Sequence, residues 1–420
     1  MRSGGSLARS FGATCAGVAI LLAGSPVFAG ASDPQEFTQI ERGRYLAVAS
    51  DCASCHTIPG SNTPFAGGRA IETPFGNIIA PNITPDRETG IGAWSDAEFD
   101  AAVRRGVRRD RSPLYPAMPY NAYTKMSRDD VQAIHAYLST VTPVRNPVVA
   151  RSLPFPFNIR SAMHVWNALY FNEGEYKSDP KQTAEWNRGA FLVDGPAHCG
   201  ACHTPKTSLG GDKNNRYLQG SDLQGWFAPN ITNDTRLGLG GWSVDEVVAY
   251  LKTGHNRVSA ATGPMAEEVS LSSSQMTDPD LGAIATYLKT IPGGKSSSQP
   301  LRVDDPVMPA GEAIYRDQCS ACHGLDGRGI PQLFPSVADS SMVRSNDPTT
   351  SIRIVLRGAR SVATASEPTG PGMPSYGWQL TDGQVAAVLT YIRNTWGASA
   401  LPVLPQDVTS ARSELARRSD

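Results

Sequence analysis

The chain has 420 residues, room for two to four ordinary domains, and its 40% hydrophobic and 18% charged residues are globular values. Its 40 glycines and 32 prolines point to much loop and few long elements. The formal net charge of −1 argues against nucleic acid as a partner. Beyond the N-terminus no stretch is long and apolar enough to span a bilayer.

Residues 1–29 read as a secretory signal. Arg2 and Arg9 precede a short apolar run from Phe11 to Leu22, and Val27-Phe28-Ala29 offers a cleavage site, with Ala31 a second one. The run falls short of the ~20 residues a membrane span needs. Without the two arginines the mature chain has 36 basic and 39 acidic side chains, a net of −3. Export places it in the periplasm. Of the 7 cysteines, Cys15 lies in the signal and the others all belong to one recurring motif, leaving none for a structural disulfide.

That motif is CxxCH, at Cys52 to His56, Cys199 to His203 and Cys319 to His323. Two thiols on one helical turn can take both vinyl groups of a haem, and the adjoining histidine is then placed under the iron. A lone CxxC reads equally well as a redox dithiol or half a zinc site. Three copies of the whole pentad predict three covalent c-type haems. Cys52, Cys55, Cys199, Cys202, Cys319 and Cys322 are the attachment points, and His56, His203 and His323 the first axial ligands.

The motifs sit in an internal repeat. Ala80-Pro81-Asn82-Ile83-Thr84 recurs as Ala228-Pro229-Asn230-Ile231-Thr232, and Trp94-Ser95 as Trp242-Ser243; the third unit lacks the first of these loops. Each unit predicts a helix bearing Gly43, Gly189 or Gly311 before the motif. A middle helix ends at Gly106, Gly254 or Gly358, and in the first two units opens on a capping box at Ser95 or Ser243. A last helix is capped by Ser127, Thr277 or Thr381 and carries Tyr137, Tyr287 or Tyr391, so that glycine and aromatic allow a close crossing. The expected fold is all-α: three tandem class I cytochrome c-like domains at 36–145, 183–295 and 306–398. Their joints are an aromatic-rich linker at 146–182, expected to pack between domains, and a short linker at 296–305; a polar tail follows at 399–420. The Asn-Ile-Thr repeats are glycosylation sequons in form only; Asn and Thr are expected to close the loop or bond haem propionates.

The sixth ligand separates electron transfer from catalysis, because an open iron could serve a peroxidase-type enzyme. Met118 and Met265 each lie 62 residues beyond their histidine, and Met373 lies 50 beyond His323 in the shorter unit. Each sits among Pro or Gly, expected to hold an extended loop across the haem. Three methionines in register with three motifs favour ligation over gap filling. Met126 and Met276, beside the last helix caps, read as packing. His198 cannot reach the opposite haem face, His255 is a weak alternative ligand, and His135 and His164 read as structural, His135 on a helix beside solvent-like positions.

Gly43 to His56, Pro64 to Gly68, Ala80 to Thr84, Gly90 to Ser95, Leu114 to Tyr120 and Trp186 to Thr204 together resemble the trihaem cytochrome c subunits of bacterial membrane-associated alcohol, gluconate, fructose and aldehyde dehydrogenases. The likeness covers about Gly43 to Gly397. It implies a catalytic dehydrogenase partner bearing a flavin, quinone or molybdenum cofactor, and electron delivery to ubiquinone or a downstream cytochrome or oxidase. It further implies a place in the periplasm at the inner-membrane face. The family's apolar or amphipathic C-terminal anchor has no counterpart in the polar tail. A free periplasmic carrier without a dedicated dehydrogenase is the alternative reading.

Overall fold

The computed structural model describes residues 34–149, 153–223, 225–294 and 305–418. The signal at 1–29, with Cys15, and most of the 296–305 joint lie outside the described residues. Three crossing helix pairs carry the described part: Pro34–Ala49 on Arg128–Leu138, Ala184–Asp194 on Asp278–Leu288, and Val307–Gln318 on Asp382–Arg393. The expected glycines make each crossing. A Cβ on Gly43 would strike the Ala133 carbonyl, and one on Gly189 the Ala283 carbonyl. On Gly311 it would strike the Ala387 carbonyl and come within 2.6 Å of Tyr391 Cβ.

The expected caps are in place. Ser95, Ser127, Ser243 and Thr381 form reciprocal capping boxes, and the Thr277 side chain accepts from the Asp280 amide. The middle helices Asp96–Arg105, Val244–Thr253 and Thr349–Arg357 stop at Gly106, Gly254 and Gly358, with φ of 63°, 84° and 75°. These positive φ values strain any side-chain-bearing residue.

The pairs enclose apolar cores. Leu46, Phe99, Val131 and Leu138 centre the first, Leu192, Val247, Leu281 and Ile284 the second. Around the third pair, Ile352, Val385 and Leu389 form one cluster and Tyr315, Val388 and Ile392 another. The chain is mostly helical rather than wholly so. Antiparallel two-stranded ladders join Ala70–Ile71 to Ile78–Ile79, Gln219–Leu223 to Trp226–Asn230, and Ala359–Arg360 to Gly372–Met373. Strands this short carry too few alternations to show a period of two.

Within 146–182, Trp166 is buried and donates from Nε1 to the Leu209 carbonyl at 3.0 Å. Phe171 stands edge-on to Tyr120, whose hydroxyl donates to Asn167 Oδ1 at 2.7 Å. The aromatics thus pack across to residues before and after them, except Phe155, which is 79% exposed.

The polar tail requires correction. Helix Pro405–Leu415 docks Val408 and Leu415, both buried, on Ile352, Leu380 and Val385. Val408, Ala411 and Leu415 fall three and four residues apart, on one helical face, and Pro405 suits a first helical turn. Arg412 ties the helix down by donating from Nε to Asp382 Oδ1 at 2.9 Å. So sparse an apolar stripe is hidden by the polar composition around it.

Candidate functional site

The three motifs occupy single helical turns, Cys52–His56, Gly200–His203 and Ser320–His323, each just beyond the first helix of a crossing pair. The chain enters the first two through left-handed residues, Asp51 at φ 49° and His198 at φ 36°. All six described cysteines are free of disulfides.

Each motif histidine makes the same bond through Nδ1. His56 pairs with the Pro81 carbonyl at 2.7 Å, His203 with that of Pro229 at 2.7 Å, and His323 with that of Pro335 at 3.0 Å. A carbonyl only accepts, so the proton sits on Nδ1 and the Nε2 lone pair is left to a metal. Burial lowers the pKa of all three rings, keeping them neutral, as a ligand must be. The proline carbonyls are functional groups that the motif reading missed. Two were visible as the shared proline of the Ala-Pro-Asn-Ile-Thr loops; the third had no such signal.

The thiols weigh against the redox-dithiol reading of CxxC. Burial pushes Cys52 up to about 12, and Cys55, Cys202 and Cys319 to about 11, with Cys199 raised as well. A redox dithiol needs the opposite, a lowered thiol. Zinc needs four gathered ligands, and among the described residues no group of three or more His, Cys, Asp or Glu converges on a metal position. Paired thiols on one turn beside a neutral, aimed imidazole fit a porphyrin joined through thioethers.

The Asn-Ile-Thr loops are closed from within. Asn82 Oδ1 accepts from the Thr84 amide at 2.9 Å and hydroxyl at 2.8 Å, and Asn82 Nδ2 donates to the Val144 carbonyl at 2.7 Å. Asn230 accepts from Thr232 in the same way, at 2.8 and 2.7 Å. Asn82 and Asn230 are only 3% and 7% exposed, so neither can be a glycan acceptor.

The methionines differ in backbone setting. Met118 lies in a turn whose carbonyl accepts from the Tyr120 amide at 2.7 Å, and it packs on the same core as Cys52. Met373 is in a strand; its cluster and that of Cys319 share Ile314. Met265 departs from the expected extended loop, lying within helix Gly263–Leu271. The Gly-Pro that seemed to hold a loop instead starts a helix, with Gly263 at φ 56° and Pro264 in the first turn. Its cluster includes Tyr250, whose ring stands 5.5 Å from Trp242 in the Cys199 core. Met126 and Met276 are fully buried, as packing residues should be.

The other histidines are engaged elsewhere. His255 Nε2 lies 3.2 Å from Glu367 Oε2. His135 is buried rather than beside solvent, stacked on Phe99 at 4.6 Å and bonded through Nδ1 to Asp96 at 2.7 Å. His198 pairs through Nδ1 with the Pro196 carbonyl at 2.8 Å, and His164 lies on helix Ala162–Tyr170.

The cytochrome c family model matches residues 40–142 and 309–396. The chain is 38% identical over 417 residues to the gluconate 2-dehydrogenase cytochrome c subunit of Pantoea cypripedii, covering 94% of each chain. The chain belongs to the family of dehydrogenase cytochrome c subunits. The fructose dehydrogenase cytochrome subunit of Gluconobacter japonicus is 36% identical over 436 residues, with 96% of this chain and 90% of that one covered. The cytochrome c subunit of the Gluconobacter oxydans quinone alcohol dehydrogenase is 36% identical over 422 residues, covering 95% and 85%. As a cytochrome c, this subunit carries covalently bound haem c.

Proposed function

We propose that this cytochrome c subunit takes electrons from a catalytic dehydrogenase subunit and passes them to ubiquinone or a downstream respiratory carrier. The reading includes three covalent haems in three tandem cytochrome c-like domains. The observation that carries it is the recurrence, at all three motifs, of one histidine-to-proline-carbonyl bond beside a glycine-packed helix crossing. When bound, haem c supplies a one-electron iron couple. Cys52, Cys55, Cys199, Cys202, Cys319 and Cys322 would hold it, the Nε2 atoms of His56, His203 and His323 would ligate its iron, and Met118, Met265 and Met373 would supply thioether ligands. The crossed helices and closed Asn-Thr loops keep these donors fixed, so little rearrangement accompanies a change of charge. With a histidine and a methionine for each iron, the haems would offer no open position to peroxide or an organic substrate.

Gluconate, fructose and alcohol dehydrogenases name the relatives' complexes, and a catalytic partner of this chain acts on a hydroxyl- or aldehyde-bearing substrate through flavin, quinone or molybdenum chemistry. The signal read at 1–29 supports a periplasmic site. No helix among the described residues is long and apolar enough to cross a membrane.

A pyridine haemochrome assay on the exported protein is expected to count three haems; two or fewer overturns the assignment of one motif. In a native pull-down a larger redox subunit is expected to reduce those haems when substrate is added. Reduction by the isolated chain would make it an enzyme, and absence of any dehydrogenase partner would make it a free carrier.

A further inference from the structure

We propose that Arg69 is a positioning residue that fixes the Met265 helix against the first CxxCH turn, and so sets the spacing and relative potentials of the first two haems. This rests on the assignment of Cys52–His56 and Met265 given above. Arg69 sits just before the Ala70–Ile71 strand and touches both sites at once. Its Nη1 donates to the Ser54 carbonyl, between the two cysteines of the first motif, and also to Glu267 Oε1. Its Nη2 donates to Glu267 Oε2 at 2.9 Å. Glu267 lies two residues past Met265 on helix Gly263–Leu271, and that helix packs on the Cys52–His56 turn.

The contact is sheltered, with the two side chains 25% and 30% exposed, which weakens solvent screening. Only a planar fork can serve a carbonyl and both oxygens of a carboxylate together; a lysine offers one compact charge. Asp51 also faces this guanidinium. A cation at the junction favours an added electron on either side, so it raises both potentials, while Glu267 opposes it.

Redox titration of the intact exported protein, followed in the visible spectrum, tests the assignment alongside Soret circular dichroism, which reports coupling between neighbouring haems. Arg69→Ala is expected to lower two of the three potentials and weaken the coupling, leaving the third potential unmoved. Glu267→Gln keeps the cation and breaks the same clamp, so it is expected to raise those two potentials while the coupling again weakens. Arg69→Lys is expected to restore the potentials but not the coupling. The proposal is overturned if Arg69→Ala moves one potential or none, or if Glu267→Gln moves them in the same direction as Arg69→Ala. Should Arg69→Ala fail to mature, the sign of the Glu267→Gln shift decides alone. A failure of the underlying assignment looks different: fewer than three haems in the unaltered protein, or a Met265→Ala variant with its sulfur-to-iron absorbance undiminished.

Discussion

At the scale of single residues, two sets of methionines can be told apart by what their loss does. Met118→Ala, Met265→Ala and Met373→Ala are each expected to diminish the weak sulfur-to-iron absorbance of the oxidised spectrum and lower one haem's potential. Met126→Ala and Met276→Ala, which empty fully buried space, are expected to leave that absorbance intact and cost about 2–5 kcal/mol of stability. Spectra and thermal melts of the five variants separate the roles. Glu268 offers a second test. It is half-buried, accepts from the Ser273 hydroxyl at 3.0 Å, and desolvation raises its pKa from 4.5 to about 7. The native state therefore holds a proton there that the unfolded chain gives up, and stability falls as pH rises from about 4.5 to about 7. Melts across that range are expected to show a slope that Glu268→Gln reduces.

At the scale of elements, the helix crossings depend on missing atoms. Gly189→Ala would press a methyl group into the Ala283 carbonyl and to 2.9 Å from Tyr287 Cβ, and is expected to destabilise the second helix pair by about 3 kcal/mol, read as a fall in the thermal midpoint. These glycines were legible in the sequence because each stands eight to ten residues before a CxxCH run. The Ser and Thr caps were legible for a chemical reason: their side chains serve amides that every helix start leaves unbonded. Gly263-Pro264 was misread because the same two residues suit a turn or a first helical turn, and only the contacts of Met265, Val269 and Val362 settle which. The proline carbonyls that aim the histidines were not legible at all as bond partners. A backbone oxygen belongs to every residue, and its use depends on how the chain folds back.

At the scale of the whole molecule, the helix pairs are joined by specific contacts rather than strung on linkers. Thr350 exchanges hydrogen bonds with the Phe227 backbone at 2.8 and 3.1 Å, the Arg353 guanidinium lies 4.3 Å over the Trp226 ring, and the Val362 amide donates to the Ala261 carbonyl at 3.3 Å. The docked C-terminal helix adds to this, since Arg418 reaches Glu72 at 2.5 Å as well as Glu414. A chain ending after Val403 loses the buried Val408 and Leu415, each worth about 1.5–3 kcal/mol. Limited proteolysis is expected to cut such a truncated protein first within residues 306–398, while its haem count stays unchanged. Cleavage beginning elsewhere would show that the helix does not brace the third pair.

The histidine bonds also order events in time. Each imidazole is aimed by a carbonyl 25, 26 or 12 residues further along, so on an emerging chain the ring can turn freely until that later segment has folded back. Thioether formation needs only the two thiols, whereas the ring is aimed only when the proline loop closes. Under the haem assignment proposed here, attachment can come early and leave the iron's ligand unsettled. Maturation is complete only when a distant stretch of backbone arrives.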